Sequence, residues 1–102
     1  MTQLVQCHSL QAVREQIDRI DRRMLTLLAE RGGYVRQAAH FKKDAADVAA
    51  PERVDKVIAT VTAVAREVGA DPAVAEATWR AMIAAFIQSE LATHALLHPP
   101  SS

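Results

Sequence analysis

The stretch SLQAVREQIDRIDRRMLTLLAERGGYVRQAAHFKK, residues 9–43, decides the fold. Leu10, Ile17 and Met24 recur every seven residues, and Val13, Ile20, Leu27, Tyr34 and Phe41 form a second seven-residue track. Leu28 and Val35 lie on a third. Together the tracks make one wide stripe of helical period, and no proline interrupts it. Ser9 is the natural N-cap. At 1.5 Å per residue such a helix runs on the order of 50 Å. A helix of that length needs partners along its whole length. The doublet Gly32-Gly33 is its weak point, since each glycine costs roughly 1 kcal/mol relative to alanine inside a helix. It marks a kink, a close helix crossing or a break into two helices.

Outward from this stretch, residues 44–50 (DAADVAA) have no periodicity and read as a loop before Pro51. Val54, Val57, Ile58, Val61, Val64, Ala65 and Val68 predict a second helix from Pro51 to about Val68, stopped by Gly69. Asp71-Pro72 reads as an N-cap followed by a first-turn proline. A third helix continues to about Leu97 with Val74, Trp79, Met82, Ile83, Phe86, Ile87 and Leu91 on its apolar face. The expectation is an all-α, three-helix chain with a long first helix. It forms a single domain over residues 1–102, frayed at about 1–8 and 98–102.

Composition narrows the function. Half of the 102 residues are apolar and only four are aromatic, which suits Ala/Val/Leu-rich helix packing better than a β-sandwich. A chain this small buries a modest core, so oligomerisation is expected. Twelve basic and twelve acidic residues cancel, leaving no general attraction to nucleic acid or an anionic membrane. Cys7 is the only cysteine. Residues 1–8 show no basic-then-apolar signal, and no apolar run is long enough for a bilayer, so the expected location is the cytoplasm. No zinc pattern or nucleophile elbow is present. His94 and His98 are one turn apart but lack a third ligand, so no metal is expected.

The charges carry the chemistry. Arg14, Ile17, Asp21, Met24, Leu28, Arg31, Val35, Ala38 and Lys42 follow one helical track, and four of these nine are charged. Arg31 also continues the Leu10, Ile17, Met24 track and so sits at the centre of the stripe. Along Trp79, Ile83 and Phe86 of the third helix, the next seam position is Glu90. A core cation normally has a partner, so one reading is that Arg31 pairs with Asp21, and that Glu90 answers Arg31 or Lys42. Arg14, Arg31 and Lys42 still outnumber these acids and leave excess positive charge, which an anionic ligand would neutralise. Arginine suits carboxylates, which it can bind through two hydrogen bonds. With no phosphate cradle in evidence, the ligand is expected to be a small dicarboxylate.

These residues resemble a known family, the all-helical chorismate mutases, and within them the isochorismate pyruvate lyase branch. The resemblance covers roughly residues 7–91. It is carried by Leu10-x-x-Val-Arg14-x-x-Ile-Asp18-Arg-Ile-Asp21, Leu28-x-x-Arg31, Tyr34-Val35, Phe41-Lys42 and Ala50-Pro-Glu-Arg53-Val54. It implies an intertwined homodimeric helical bundle in which Arg14 enters the partner subunit's site, while Arg31, Lys42, Arg53 and Glu90 come from one chain. It implies chorismate or isochorismate as substrate, no cofactor, and a pericyclic reaction. In that reaction Arg14 and Arg31 clamp carboxylates, Lys42 donates to the ether oxygen and a carboxylate, and Arg53 reaches in beside a lid at 43–50. The expected activity is chorismate mutase, with isochorismate pyruvate lyase as the alternative and a non-catalytic dimerisation or ligand-sensing module as a third.

Two departures bear on the choice. Family mutases commonly carry an acid beside the matching arginine, where this chain has Val54, and often another where it has Ala50. Both changes favour the lyase branch. Lyases and many mutases carry Gln where this chain has Glu90, whereas some mutases carry Glu. A carboxylate cannot donate a hydrogen bond, so Glu90 acts only with its proton on.

Overall fold

The computed structural model describes residues 4–97, all of whose regular structure is helical. The helices are α1 Leu10–Ala39, α2 Ala45–Ala49, α3 Pro51–Val68 and α4 Pro72–Leu97. By contacts the chain divides between Val35 and Arg36 into two units.

The first unit contains the greater part of α1. Ser9 caps it as its sequence position indicates: its Oγ accepts from the Ala12 N–H at 3.0 Å. The helix runs unbroken through Gly32-Gly33, so the doublet is not a break, and Gly32 is the buried residue of α1. The apolar stripe of this helix is largely open on the single chain. Leu10 and Leu27 are 63% exposed, Met24 is 52% and Ile17 is 50%.

The second unit begins with the last turn of α1. That helix stops at Ala39, short of the expected Lys43. The N–H groups of His40, Phe41 and Lys42 bond to the carbonyls of Gln37, Ala38 and Ala39, three residues back, at 3.0–3.3 Å. This tighter winding closes the helix. The expectation of a loop over 44–50 is overturned. Residues Ala45–Ala49 form the one-turn helix α2, with the Asp44 carboxylate accepting from the Asp47 N–H at 2.9 Å. Val48, only 1% exposed, is the most deeply buried of the apolar residues, and α2 packs on α4. Five residues are too few for a helical period to show in sequence, and a helix so short forms only with caps and tertiary burial.

Helices α3 and α4 match their expected spans and pack on each other. Ile58 and Ala65 are buried on α3, while Val64 and Val68, on the edge of its stripe, are exposed. On α4, Trp79, Met82, Ile83, Phe86, Ile87 and Leu91 are half-buried, and Val74 is exposed. The connection is short and fully capped. Gly69 adopts φ 78° and donates to Ala65 O, and Asp71 Oδ1 accepts from Ala73 N–H at 2.9 Å. Among the described residues no helix is long and apolar enough to cross a membrane.

At Gly69 a Cβ would meet nothing within 4 Å, so its requirement is purely one of backbone conformation. Gly69→Ala is expected to destabilise the protein by about 1 kcal/mol, the cost of a left-handed alanine, in denaturant unfolding at fixed protein concentration. No loss would mean that the α3–α4 turn relaxes to another geometry.

Candidate active site

The site is built around α4. Its seam of Trp79, Ile83 and Phe86 continues to Glu90, which is 8% exposed and so a buried carboxylate. Burial of a charge is expensive unless a partner with good geometry accompanies it. Lys42 supplies that partner: its Nζ donates to Glu90 Oε2 at 2.7 Å, with the lysine side chain 24% exposed. This is the length of a strong charge-assisted bond. Of the two partners open to Glu90 by sequence, Arg31 and Lys42, the structure pairs it with Lys42.

Local structure sets both groups. Lys42 follows directly on the tight turn that closes α1, so its backbone is fixed by the Ala39 carbonyl at 3.3 Å. On its other side, the Lys43 N–H donates to Asp47 Oδ2 at 3.0 Å. Asp47 in turn receives the Asp44 carboxylate on its own N–H. These two aspartates, with Val48 between them and α4, form the frame of the lysine. They were not singled out from the sequence, although Asp44-x-x-Asp47 has the spacing of a reciprocal capping arrangement and signals a helix start.

The other expected site residues are placed as follows. Arg53 lies exposed on the first turn of α3, three residues past the left-handed Ala50 (φ 38°) that joins α2 to α3. Arg14 and Arg31 belong to the first unit. Arg14 is exposed; Arg31 is half-buried and adjacent to the buried Gly32. Asp21 is exposed. Seventeen positions separate the two arginines, about 25 Å along a helix axis. That is too far for both to hold one small dicarboxylate within the same chain.

The second unit thus holds a part-buried lysine on a buried glutamate, with Arg53 exposed on α3, and the first unit carries Arg14 and Arg31 on α1. Residues 13–91 match the family model of chorismate mutase type II. The chain belongs to this family. It is similar to the isochorismate pyruvate lyase of Pseudomonas aeruginosa, strain PAO1, with 34% identity over 85 residues that cover 83% of this chain and 84% of that protein. Among the described residues no group of three or more His, Cys, Asp or Glu is placed to hold a metal ion. His94 is half-buried one turn beyond Glu90, and His98 lies outside the described residues.

The Lys42–Glu90 geometry makes a testable statement about energy. Lys42→Met, which leaves the buried carboxylate without its donor, is expected to destabilise the protein by about 1–3 kcal/mol. The double variant Lys42→Met/Glu90→Gln should recover more than half of that loss, because the residual group is then neutral. Strict additivity of the two single substitutions in urea unfolding would show that the pair is not coupled.

Proposed function

We propose that this protein is a chorismate mutase that converts chorismate to prephenate by a Claisen rearrangement, acting as a homodimer without a cofactor. The observation that carries the reading is the Lys42–Glu90 pair, a part-buried ammonium held on a buried carboxylate within the span that matches the family. The reaction is pericyclic, so it needs no nucleophile. Its requirements are a compact reactive conformer and hydrogen-bond donors aimed at the oxygen that gains charge as the ether bond breaks. Lys42 supplies one such donor and also a counter-charge for a substrate carboxylate. Glu90, carrying its proton, supplies a second. Arg31 and Arg53 bind carboxylates, with Arg14 arriving from the partner subunit.

A second reading is favoured by a specific finding. The relative that is 34% identical is an isochorismate pyruvate lyase, and this chain carries Ala50 and Val54 rather than acids. On this reading the same donors assist breakage of the same type of ether bond, and isochorismate yields salicylate and pyruvate. A non-catalytic helical dimerisation module has less support, since it explains the α1 stripe but not the cations set into it.

The test is to give the purified protein chorismate and isochorismate separately, following chorismate loss and salicylate appearance across about pH 5 to 8. Turnover of at least one substrate is expected. Because a carboxylic acid donates only when protonated whereas an amide always can, Glu90→Gln is expected to keep or raise turnover. Turnover of neither substrate rejects the enzyme reading. Loss of turnover in Glu90→Gln rejects the donor role of Glu90.

The dimeric site makes a separate prediction. Arg14→Ala and Arg31→Ala homodimers should each be nearly inactive. Co-refolding equal amounts should restore about one quarter of full activity, since half of a random mixture is heterodimer and each heterodimer holds one intact site of two. No recovery would place both arginines in a site made by one chain.

A further inference from the structure

The pair of hydrogen bonds around Asp47 is more than a helix cap. In a reciprocal capping arrangement the N-cap side chain accepts from the backbone three residues on, and the side chain at that position returns to the N-cap residue's own N–H. Asp44 does the first part, accepting from Asp47 N–H at 2.9 Å. Asp47 departs from the second. Its Oδ2 accepts from the N–H of Lys43, one residue before the cap, at 3.0 Å. Stabilising α2 does not require this shift. Its effect is to fasten the peptide unit that directly follows Lys42.

The consequence follows from what α2 rests on. Val48, 1% exposed, anchors α2, which packs on α4. Glu90, the partner of Lys42, is on α4 as well. Lys42 is thus held from three directions. Its own N–H bonds to Ala39 O, its ammonium bonds to Glu90, and the following peptide bonds to Asp47 of a helix packed on α4, the helix that carries Glu90. If the ammonium leaves Glu90 for a substrate oxygen, the ammonium's own anchor is gone. The two backbone bonds then fix where the lysine stem starts.

We infer that Asp47 is a positioning residue for Lys42: through the Lys43 peptide it holds the lysine backbone at α4, so that Lys42 stays aimed at the site when it is not bonded to Glu90. This rests on the functional reading above, in which Lys42 touches substrate. Asparagine at position 47 offers the same acceptor without the charge, so the inference concerns the hydrogen bond and not the carboxylate's charge.

The experiment compares Asp47→Ala, Asp47→Asn and Asp71→Ala in the full-length protein. Asp71→Ala is the control, since it deletes an equivalent cap on α4 far along the chain from Lys42. The first readout does not need activity: the rate at which an N-hydroxysuccinimide acetate acylates Lys42 relative to Lys56, followed by peptide mass spectrometry. Asp47→Ala should raise it about threefold, the scale of one lost hydrogen bond, with Asp47→Asn and Asp71→Ala unchanged. The second readout is kcat/KM on the substrate that the parent protein turns over. Asp47→Ala should lower it about tenfold, Asp47→Asn should stay near the parent value, and Asp71→Ala should lower stability alone. Unchanged acylation in Asp47→Ala, or an equal kcat/KM loss in Asp71→Ala, overturns the inference. If the acylation pattern holds while no form turns over either substrate, the positioning role stands and the functional reading falls.

Discussion

A carboxylate buried on α4 is the constraint on which the second unit depends. At 8% exposure Glu90 has little water to solvate it, and the fold must bring a cation to it. That requirement fixes the path of the chain after α1. The helix tightens and stops at Ala39, Lys42 reaches Glu90 at 2.7 Å, and the next residues wind into α2, which packs on α4 as well. Helix α3 then covers another part of α4 through Ile58 and Ala65. Helix α4 is thus the platform for everything from residue 36 onward, and its one buried charge sets where the catalytic lysine of the proposed reaction must sit.

The elements that were legible in the sequence are those whose chemistry is local. Ser9, Gly69 and Asp71-Pro72 mark helix ends by satisfying nearby backbone groups, and each does so in the structure. The long apolar periods fixed α1, α3 and α4 within a few residues. Helix α2 escaped because its five residues carry no period, and its stability comes from burying Val48 on a helix about 40 positions away in sequence, together with an aspartate pair that only its geometry explains. The site was legible in its parts. Arg31, Lys42 and Glu90 stood out as charges in apolar tracks. Which cation meets Glu90 was not legible, because Arg31 and Lys42 share a track on α1. The turn at residues 40–42 breaks that equivalence, and no periodic pattern announces it.

Helix α1 poses the opposite problem. Its apolar residues follow a stripe, yet Leu10, Ile17, Met24 and Leu27 are half or more exposed in the single chain. Most helical stability in water comes from packing an amphipathic face, and a helix left with such a stripe in water gains little from it. Among the described residues the buried apolar side chains are few: Val48, Ile58 and Ala65. A core of that size gives a small domain little reserve. Covering the α1 stripe with a second copy would address the exposed stripe and the thin core together. On the proposed reading the same docking would bring Arg14 to the partner subunit's site, roughly 25 Å of helix separating it from Arg31 of its own chain.

The choice of an acid at position 90 then has a physical logic. With an amide there, Lys42 would meet a neutral group in a semi-buried place, and its charge would wait on a ligand for compensation. With Glu90 the ammonium is already satisfied within the protein by a charge-assisted bond at 2.7 Å. The same bond competes with substrate. On the proposed reading an arriving dicarboxylate must draw the ammonium away, so substrate binding is set against the Lys42–Glu90 bond, and the strength of that bond tunes how readily Lys42 turns to a ligand.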